Sequence, residues 1–232
     1  MRYRRNKSSA ILSILLVLSV SASFSIRSAA FMPVYRCNNT EKAIALTFDD
    51  GPHPKYTPRI LDILDKYDIK ATFFFIGQNI VYYRDTAKMV YERGHEIGNH
   101  TYDHTIISKC SPEKVEEEIS ENDRMITSIN GIGSSLFRPP QGSYRKSDLD
   151  IINKLGYRTV LWSLDTEDWK HTSPERIYRY VTGNIKDGDI ILFHDYISGE
   201  NTTIPALEIL IPELLREGYR FVTVSELIAR SG

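Results

Sequence analysis

Two aspartates and two histidines have the types and spacing of a metal site. Asp49 and Asp50 stand side by side between an apolar run and a glycine, in the stretch TFDDGP, and His100 and His104 are four residues apart. Two imidazoles at that spacing can direct their rings to one point, and one carboxylate completes a two-histidine, one-carboxylate set with open coordination positions. The H-x-x-x-H spacing alone is a weak signal that surface or core histidines also produce. Asp50, arriving from a neighbouring strand, makes a catalytic divalent metal the stronger interpretation.

Asp49 is predicted to act as a general base. Adjacent residues that leave a strand point in different directions, so Asp50 can bind a metal while Asp49 faces a metal-bound water. A metal lowers the pKa of its water toward roughly 7, and a carboxylate that takes the proton leaves a nucleophile at neutral pH. Arg138 is the candidate partner that would keep Asp49 ionised and aimed. The alternative is an Asp–Arg ion pair with a structural role only.

A hydrolysis also needs an acid for the leaving group, and His194 is the candidate. Histidine titrates near physiological pH, and an acidic partner such as Asp168 would raise its pKa and orient the ring. The alternative for His194 is a hydrogen-bonded histidine at a strand end without a chemical role.

Short apolar runs alternate with helical patterns along most of the chain. Helix starts are predicted where an N-cap residue precedes proline, at Thr57-Pro58, Ser111-Pro112 and Ser173-Pro174, and helix ends are predicted at Gly94, Gly156 and Gly218. Strands that alternate with helices predict a parallel sheet, and about seven such units predict a closed or partly closed β/α barrel. The predicted strands are IALTF (44–48), ATFFFI (71–76), HEIG (95–98), LF (136–137), RTVLWS (158–163), DIILF (189–193) and RFVTV (220–224).

The polar residues with chemical potential follow the predicted strands. In barrels of this kind the chemistry lies at the carboxyl ends of the strands. Five separate stretches would therefore converge on one mouth, and this convergence indicates a function more strongly than any single motif. The stretches are Asp49-Asp50, NHTYDH (99–104), RPPQG (138–142), DTEDW (165–169) and His194-Asp195.

These stretches, in this order, resemble the motifs of the NodB-type polysaccharide deacetylases, carbohydrate esterase family four. The resemblance covers roughly residues 42–228. The matching motifs are T-F-D-D-G (47–51), H-T-x-x-H (100–104), R-P-P-x-G (138–142), D-x-x-D-W (165–169) and L-x-H (192–194).

The resemblance implies a distorted (β/α)7–8 barrel that removes acetyl groups from N-acetylated sugars with zinc, or with cobalt or a similar divalent ion. It implies Asp50, His100 and His104 as metal ligands, Asp49 as the base, His194 as the acid, Arg138 as the tether of the base and Asp168 as the residue that tunes His194. The substrate-binding residues would be Pro139, Gln141, Trp169 and Leu192, and His53 is a further candidate for lining the groove.

One residue departs from the pattern of the family. Gln141 stands where the third motif commonly has tyrosine, at a position whose backbone N–H helps to hold the tetrahedral oxyanion in the family. The backbone role survives the substitution. The wall beside the sugar, and hence the substrate preference, is where a difference is expected.

The N-terminal residues have the composition of an export signal. A basic start is followed by an apolar stretch at 10–24, shorter than the ~20 residues that span a bilayer comfortably. Residues 1–30 are therefore predicted to be a signal peptide, cleaved after Ala22 or Ala30, or else an uncleaved membrane anchor. Residues 31–42 are predicted to be a linker and residues 43–230 the catalytic domain. The product would be secreted or associated with the cell envelope.

Composition and charge do not indicate a nucleic-acid partner. The 232 residues carry a net charge of −1 and give a pI near 6.6, without the strongly basic character of a nucleic-acid-binding domain. Membrane contact is expected only if the N-terminal segment stays uncleaved. In an oxidising compartment Cys37 and Cys110 are permitted to form a disulfide, but the spacing does not show that they meet.

Three functions stay open at this stage. The first is N-deacetylation of an amino-sugar polymer, with peptidoglycan favoured over chitin oligomers because an exported enzyme meets the cell's own wall first. The second is removal of O-acetyl groups from xylan, since the same groups attack an ester as well as an amide. The third is a carbohydrate-binding protein without turnover, which would have no use for a complete set of metal ligands, base and acid.

Overall fold

Strands and helices alternate along the chain as the sequence predicts. The computed structural model describes residues 32–38, 41–199 and 201–231. Its strands are β1 (Ala43–Asp49), β2 (Thr72–Phe75), β3 (Glu96–Asn99), β4 (Leu136–Phe137), β5 (Arg158–Thr159), β6 (Leu164–Asp165), β7 (Ile190–His194) and β8 (Arg220–Phe221). Its α-helices are α1 (Thr57–Lys66), α2 (Gly77–Tyr82), α3 (Arg84–Glu92), α4 (Pro112–Asn130), α5 (Lys146–Lys154), α6 (Pro174–Asn184), α7 (Thr203–Arg216) and α8 (Val224–Ala229).

The strands form one parallel sheet that curls into an incomplete barrel. The strand order is β5-β4-β3-β2-β1-β7-β6, and β8 pairs with the start of β1. In the register of β1 and β7, Asp49 lies opposite His194 and Thr47 opposite Leu192. The carboxyl ends of the strands therefore share one edge, and the predicted distorted (β/α)7–8 barrel is confirmed.

The run RTVLWS is not the single strand that the sequence predicts. Its start forms β5, which pairs with β4 at one edge of the sheet, and the chain then reaches β6, which pairs with β7 at the other edge. The chain crosses the gap of the barrel here, so the run forms part of one edge and leads to the other. The prediction of one strand was wrong because an apolar run does not show where its hydrogen-bond partners change.

Residues near the described N-terminus also lie across this gap. Val34 forms a parallel bridge to Val160, and Arg36 forms an antiparallel bridge to Asp189. Cys37 is buried. Part of the predicted linker 31–42 therefore packs on the sheet, while the predicted domain boundaries stay predictions.

The core packs on both faces of β1, whose seven residues are all buried. Parallel strands covered on both faces have continuous apolar runs, which explains why IALTF lacks the alternation of a half-exposed strand. Phe48 stacks on Phe73 at 4.9 Å and on Phe193 at 5.9 Å between ring centroids, which ties β1 to its neighbours. Burial of each such side chain contributes about 1.5–3 kcal/mol to folding. The core thereby fixes the positions of the strand ends.

Two of the three predicted helix starts are confirmed. Ser111 accepts from Lys114 N and Ser173 accepts from Arg176 N, as N-cap residues do. Thr57 is instead the first residue of α1, and its hydroxyl bonds to Asp195 rather than capping the helix. A tertiary contact thus replaces the local cap at this position.

The predicted helix ends at glycine agree with the backbone. Gly94, Gly156 and Gly218 have φ values of 77°, 85° and 87°, in the left-handed region that glycine adopts without strain.

Other predictions for the chain have mixed outcomes. Cys37 and Cys110 are both free thiols in the structure, so the disulfide that the sequence permitted is not formed. Residues 1–30, the predicted signal peptide or anchor, lie outside the described residues. Among the helices that the structure describes, none is both long and apolar enough to cross a bilayer.

Candidate active site

The three predicted metal ligands meet at the carboxyl edge of the sheet. Asp50 follows β1, and His100 and His104 follow β3. Each of the three residues offers one potential ligand atom, and these three atoms lie within 4.8 Å of one another. Strand β2 separates β1 from β3, so the strand that carries Asp50 is not the direct neighbour that the sequence analysis assumed. The curl of the sheet brings the two ends together across β2.

The geometry of this triad suits a divalent cation. Asp50 Oδ1 lies 3.2 Å from His104 Nε2 and 3.5 Å from His100 Nε2, yet this buried oxygen has no hydrogen-bond partner with good geometry among the described residues. His100 Nδ1 lies 2.7 Å from the carbonyl oxygen of Arg138 and must donate to it, which leaves Nε2 with a free lone pair. Two nitrogens and one oxygen thus converge on a common point, and the contact of Nδ1 leaves Nε2 of His100 able to bind a cation there. The residues present therefore fit a divalent metal ion.

Charge at the triad is set by the close approach of the carboxylate and the imidazoles. Burial alone would raise the pKa of Asp50, but the two imidazoles beside it lower that pKa instead. The nearby Asp50 carboxylate raises the pKa of His104. The aspartate is therefore ionised at neutral pH, as a ligand must be.

Helix α4 holds the loop that carries the two histidines. Glu118 Oε2 accepts from the backbone N–H groups of Tyr102 and Asp103 at 3.0 and 2.9 Å. Asn122 Nδ2 donates to the carbonyl oxygen of Thr101 at 2.9 Å. Thr101 and His104 have φ values of 65° and 56°, a conformation that is costly for residues other than glycine. These buried contacts maintain the conformation that directs both imidazoles to Asp50.

Asp49 and Arg138 form a buried ion pair beside the triad. Arg138 is fully buried, and its Nη1 donates to Asp49 Oδ1 at 2.7 Å and to Thr47 Oγ1 at 2.8 Å. Its Nη2 donates to the carbonyl oxygen of Leu161 at 2.9 Å, and its guanidinium carbon lies 4.1 Å from the ring centroid of Phe74. With one carboxylate oxygen held in this way, Asp49 Oδ2 is directed toward the triad, 3.8 Å from His100 Nε2.

The partly exposed His194 and the buried Asp168 form the second pair. His194 Nδ1 lies 2.7 Å from Asp168 Oδ1, and His194 N donates to Asp168 Oδ2 at 2.8 Å. A carboxylate only accepts, so Nδ1 carries the proton and Nε2 is the atom left for chemistry. Thr203 Oγ1 donates to the same Asp168 Oδ2 at 2.7 Å, and Trp169 N donates to Oδ1 at 2.9 Å. The carboxylate thereby fixes the ring of His194.

The environment of His194 favours its protonated form. Burial by itself would lower the pKa of this imidazole. The hydrogen bond and the charge of Asp168, with smaller contributions from Asp50 and Asp49, outweigh burial and raise the pKa of His194 to about 9. A cation bound by Asp50 would offset part of the contribution of the two strand-end aspartates, but not the hydrogen bond of Asp168. His194 can therefore carry a proton at neutral pH.

One cavity of about 510 Å³ joins these groups. Its lining confirms the convergence of five chain stretches and adds Trp162, which lies outside those stretches. Pro139 is buried and lies outside this lining, at the start of the turn that holds Gln141, so its predicted contact with substrate stays a prediction. The lining residues are Asp49, Asp50, His100, His104, Gln141, Trp162, Asp165, Trp169, Leu192 and His194.

Gln141 has a backbone suited to an oxyanion donor. It is the middle residue of a 3-10 turn (Pro140–Gly142), with φ 60° and ψ 15°. N–H groups at the start of a helical turn have no partner within that turn. Its N–H therefore needs a partner from outside the turn, and its exposed side chain forms part of the rim.

Sequence reasoning missed the residues that support the site. Thr47 belongs to the TFDDG motif, but nothing local shows that its hydroxyl meets Arg138 from the fourth strand. Thr203, Glu118 and Asn122 lie on helices, where a lone polar residue carries no distinguishing pattern. Only their contacts identify them.

Comparison with known proteins assigns the chain to a family. A family model described as "Polysaccharide deacetylase" matches residues 36–160. A peptidoglycan-N-acetylglucosamine deacetylase from Bacillus cereus is 44% identical over 192 residues, which cover 82% of this chain and 90% of that protein.

Solved structures agree with this assignment. The crystal structure of the Bc1960 peptidoglycan N-acetylglucosamine deacetylase superposes with a TM-score of 0.83 at 34% identity, covering 86% of this chain and 94% of that one. A family 4 acetyl xylan esterase from Clostridium thermocellum, in complex with a cobalt ion, superposes with a TM-score of 0.75 at 35% identity, covering 81% and 90%. BA3943, a CE4 family pseudoenzyme from Bacillus anthracis, superposes with a TM-score of 0.80 at 33% identity, covering 86% and 69%.

The matched residues include the first three of the five motifs, and the solved structures extend the likeness over most of the fold. The predicted resemblance and the predicted class, a polysaccharide N-deacetylase, are thereby confirmed. The chain belongs to the polysaccharide deacetylase family, within carbohydrate esterase family four.

Proposed function

We propose that this chain removes N-acetyl groups from peptidoglycan by metal-dependent hydrolysis. One observation carries the proposal: a single cavity contains a fitting metal triad, a carboxylate held by a buried arginine, and a histidine held protonated by a buried aspartate. An amide needs an activated water, a stabilised oxyanion and a protonated leaving group. The cavity supplies a residue for each.

Asp50, His100 and His104 are the residues that would hold the cation. A divalent ion there supplies Lewis-acid charge, which polarises the acetyl carbonyl and makes water more acidic. Two imidazoles and one carboxylate suit zinc, with cobalt as an alternative. Metal identity is part of the proposal.

The roles of the remaining residues follow from their contacts. Asp49 takes a proton from the attacking water as the new carbon–oxygen bond forms, and the hydrogen bond from Arg138 holds Asp49 in position for that step. The N–H of Gln141 donates to the carbonyl oxygen as it gains negative charge. Nε2 of His194 then gives its proton to the nitrogen as the carbon–nitrogen bond breaks. The products are acetate and a free amine on the sugar.

Peptidoglycan is the proposed polymer for two reasons. The relative from Bacillus cereus is named as a peptidoglycan-N-acetylglucosamine deacetylase and aligns over most of both chains. The basic and apolar start of the sequence is typical of export, which would bring the enzyme to the cell wall. The proposed location is outside the membrane, in the envelope or the medium.

Two other functions remain as outcomes of the test. The similarity to an acetyl xylan esterase keeps O-deacetylation of xylan open, because the same groups hydrolyse an ester. A binding protein without turnover is less compatible with the site, since the ligands, base and acid are all present and mutually oriented.

Acetate release is the measurement that tests the proposal. The zinc-loaded chain is incubated with purified peptidoglycan, N-acetylglucosamine oligomers and acetylated xylan, beside a chelated sample. We expect zinc-dependent release from peptidoglycan. Asp49→Asn removes the base while keeping one acceptor for Arg138, and we expect it to lower turnover by about 10²–10⁴-fold in a folded protein.

Asp85→Asn is the matched control because Asp85 is an exposed residue in the first turn of α3. It is expected to leave acetate release unchanged. Release from xylan alone would replace the proposal with the esterase function. Zinc binding without release from any of the three polymers would leave the binding function.

A further inference from the structure

Three aromatic rings form a stack in the loops that follow β1 and β7. His53 lies between Tyr56 and Tyr196, with centroid distances of 4.7 and 4.9 Å and interplanar angles of 20° and 14°. We call Tyr56, His53 and Tyr196 the rim stack. None of the three lines the catalytic cavity, and the reaction uses none of them.

Backbone contacts hold the central ring of the rim stack in place. His53 Nδ1 accepts from the N–H groups of Lys55 and Tyr56, both at 3.2 Å, and His53 N donates to Thr57 Oγ1 at 2.8 Å. A ring nitrogen that accepts cannot carry a proton, so the ring is neutral with its proton on Nε2. Burial and the charge of Lys55 also lower the pKa of His53. The central ring of the rim stack is therefore held in one orientation and is uncharged.

The rim stack is covered at one end and open at the other. Lys55 Nζ lies 5.2 Å from the ring centroid of Tyr56. Tyr196, at the opposite end, has 42% of its surface exposed. An exposed aromatic ring on a rigid support is a surface that can pack against an apolar face of a ligand at little entropic cost.

The rim stack is continuous with the catalytic rim. Tyr196 comes two residues after His194, and His53 comes three residues after Asp50. Asp49 and His194 are register partners in β1 and β7, so the two loops leave adjacent strands at the same level. Trp169 lines the cavity from the turn that follows β6, on the other side of β7. A polymer whose acetylated sugar enters the cavity would extend over one of these rims.

We propose that the rim stack is a second sugar-binding position, where the ring of Tyr196 packs against the apolar face of a pyranose in the same glycan strand. This inference rests on the proposed function, because it takes the polymer to be the occupant of the cavity. A pyranose has a face of C–H groups, which matches an uncharged aromatic ring, and its hydroxyl groups stay in water at the rim. The rim stack thereby makes the enzyme favour long glycans over short ones.

The test compares long and short substrates. The kcat/KM of the zinc-loaded full chain is measured for β-1,4-linked N-acetylglucosamine oligomers from the disaccharide to the hexasaccharide, and the readout is the ratio between the longest and the shortest. We expect Tyr196→Ala to lower that ratio about tenfold, equivalent to roughly 1.4 kcal/mol. Tyr196→Phe keeps the aromatic face and is expected to keep the ratio.

Tyr91→Ala is the matched control. Tyr91 has the same exposed fraction, 42%, but lies near the carboxyl end of α3, away from the catalytic rim. An unchanged ratio in Tyr196→Ala, or an equal fall in Tyr91→Ala, overturns the second sugar position while the proposed function stands. A wild type that releases no acetate from any oligomer or from peptidoglycan overturns the proposed function, and the sugar position with it.

Discussion

Asp168→Asn is the substitution that tests how the proposed acid is prepared. The carboxylate of Asp168 is fully buried and accepts from His194 Nδ1 and Trp169 N on Oδ1, and from His194 N and Thr203 Oγ1 on Oδ2. Asparagine keeps the shape of the side chain but has no charge. Both oxygens of Asp168 accept hydrogen bonds, so the NH2 group of asparagine would face a donor in either orientation of the amide. The substitution therefore removes the charge that holds the proton on His194 and leaves at least one buried donor without an acceptor.

The size of the effect follows from the pKa of His194. That pKa is raised from an ordinary 6.5 to about 9. The difference corresponds to roughly 3 kcal/mol, at about 1.36 kcal/mol for each tenfold change in proton affinity. In the variant, burial still lowers this pKa, and Asp49 and Asp50 still raise it; with the opposite charge of Asp168 gone, we expect the pKa of His194 to fall by about two. The unpaired donor adds a loss of stability of about 1–3 kcal/mol.

The assay is the pH dependence of kcat/KM, which reports the pKa values of the free enzyme. His194 must be protonated to act as an acid, so wild-type activity falls on the alkaline side as pH passes through the pKa of His194. In Asp168→Asn we expect this alkaline limb to move down by about two pH units. Thr203→Val is the control, because it removes one hydrogen bond and leaves the charge. An alkaline limb that stays in place in Asp168→Asn would refute the assignment of His194 as the acid tuned by Asp168.

The same pair predicts a pH dependence of folding. A histidine whose pKa is higher in the folded than in the unfolded state stabilises the fold fully below the unfolded pKa, and this stabilisation is lost as pH rises through the folded pKa. The free energy of unfolding of the wild type should therefore decline between about pH 6.5 and 9. Asp168→Asn should lack most of this decline in denaturant titrations.

Two further predictions concern the metal site. His104→Ala removes one of three ligands, so we expect the zinc bound per chain after dialysis to fall well below one equivalent. His171→Ala is the control and is expected to retain its zinc. Equal zinc content in both variants would contradict the assignment of the triad as the metal site. Glu118→Ala removes the acceptor of two backbone N–H groups between the histidines, and we expect zinc affinity by calorimetry to fall about tenfold or more. Glu118→Gln keeps an oxygen acceptor and should retain most of that affinity, so an equal loss in both Glu118 variants would show that charge, and not loop geometry, is responsible.

Much of the site could be predicted from the sequence because its chemical residues lie in short motifs directly after strands. Each motif follows an apolar run or a turn, and the parallel arrangement places the ends of the strands at one edge of the sheet. The motifs are those around Asp49, His100, Arg138, Asp168 and His194. The alternation of strands and helices predicted the barrel for the same reason, because the apolar periodicity that indicates a strand or a helix depends on residues close together in the chain.

Local patterns failed where a residue's partner is distant in the chain. The run 158–163 supplies one edge of the sheet and the approach to the other, and Thr57 contacts Asp195 instead of capping its helix. Pro139 belongs to a matching motif, yet it is not among the residues that line the cavity. Each outcome depends on which surfaces face one another after folding.

The sequence by itself determined the class of the fold, the order of the motifs and the types of groups available for chemistry. Only the tertiary structure decided how these groups are prepared: Arg138 reaches Thr47 and Asp49 across 91 and 89 positions, and Thr203 completes the partners of Asp168. It also decided that Tyr56, His53 and Tyr196 form one stack. The physical reason is that strand and helix formation follow from local periodicity, whereas burial, hydrogen-bond partners and pKa values depend on contacts between residues far apart in the chain.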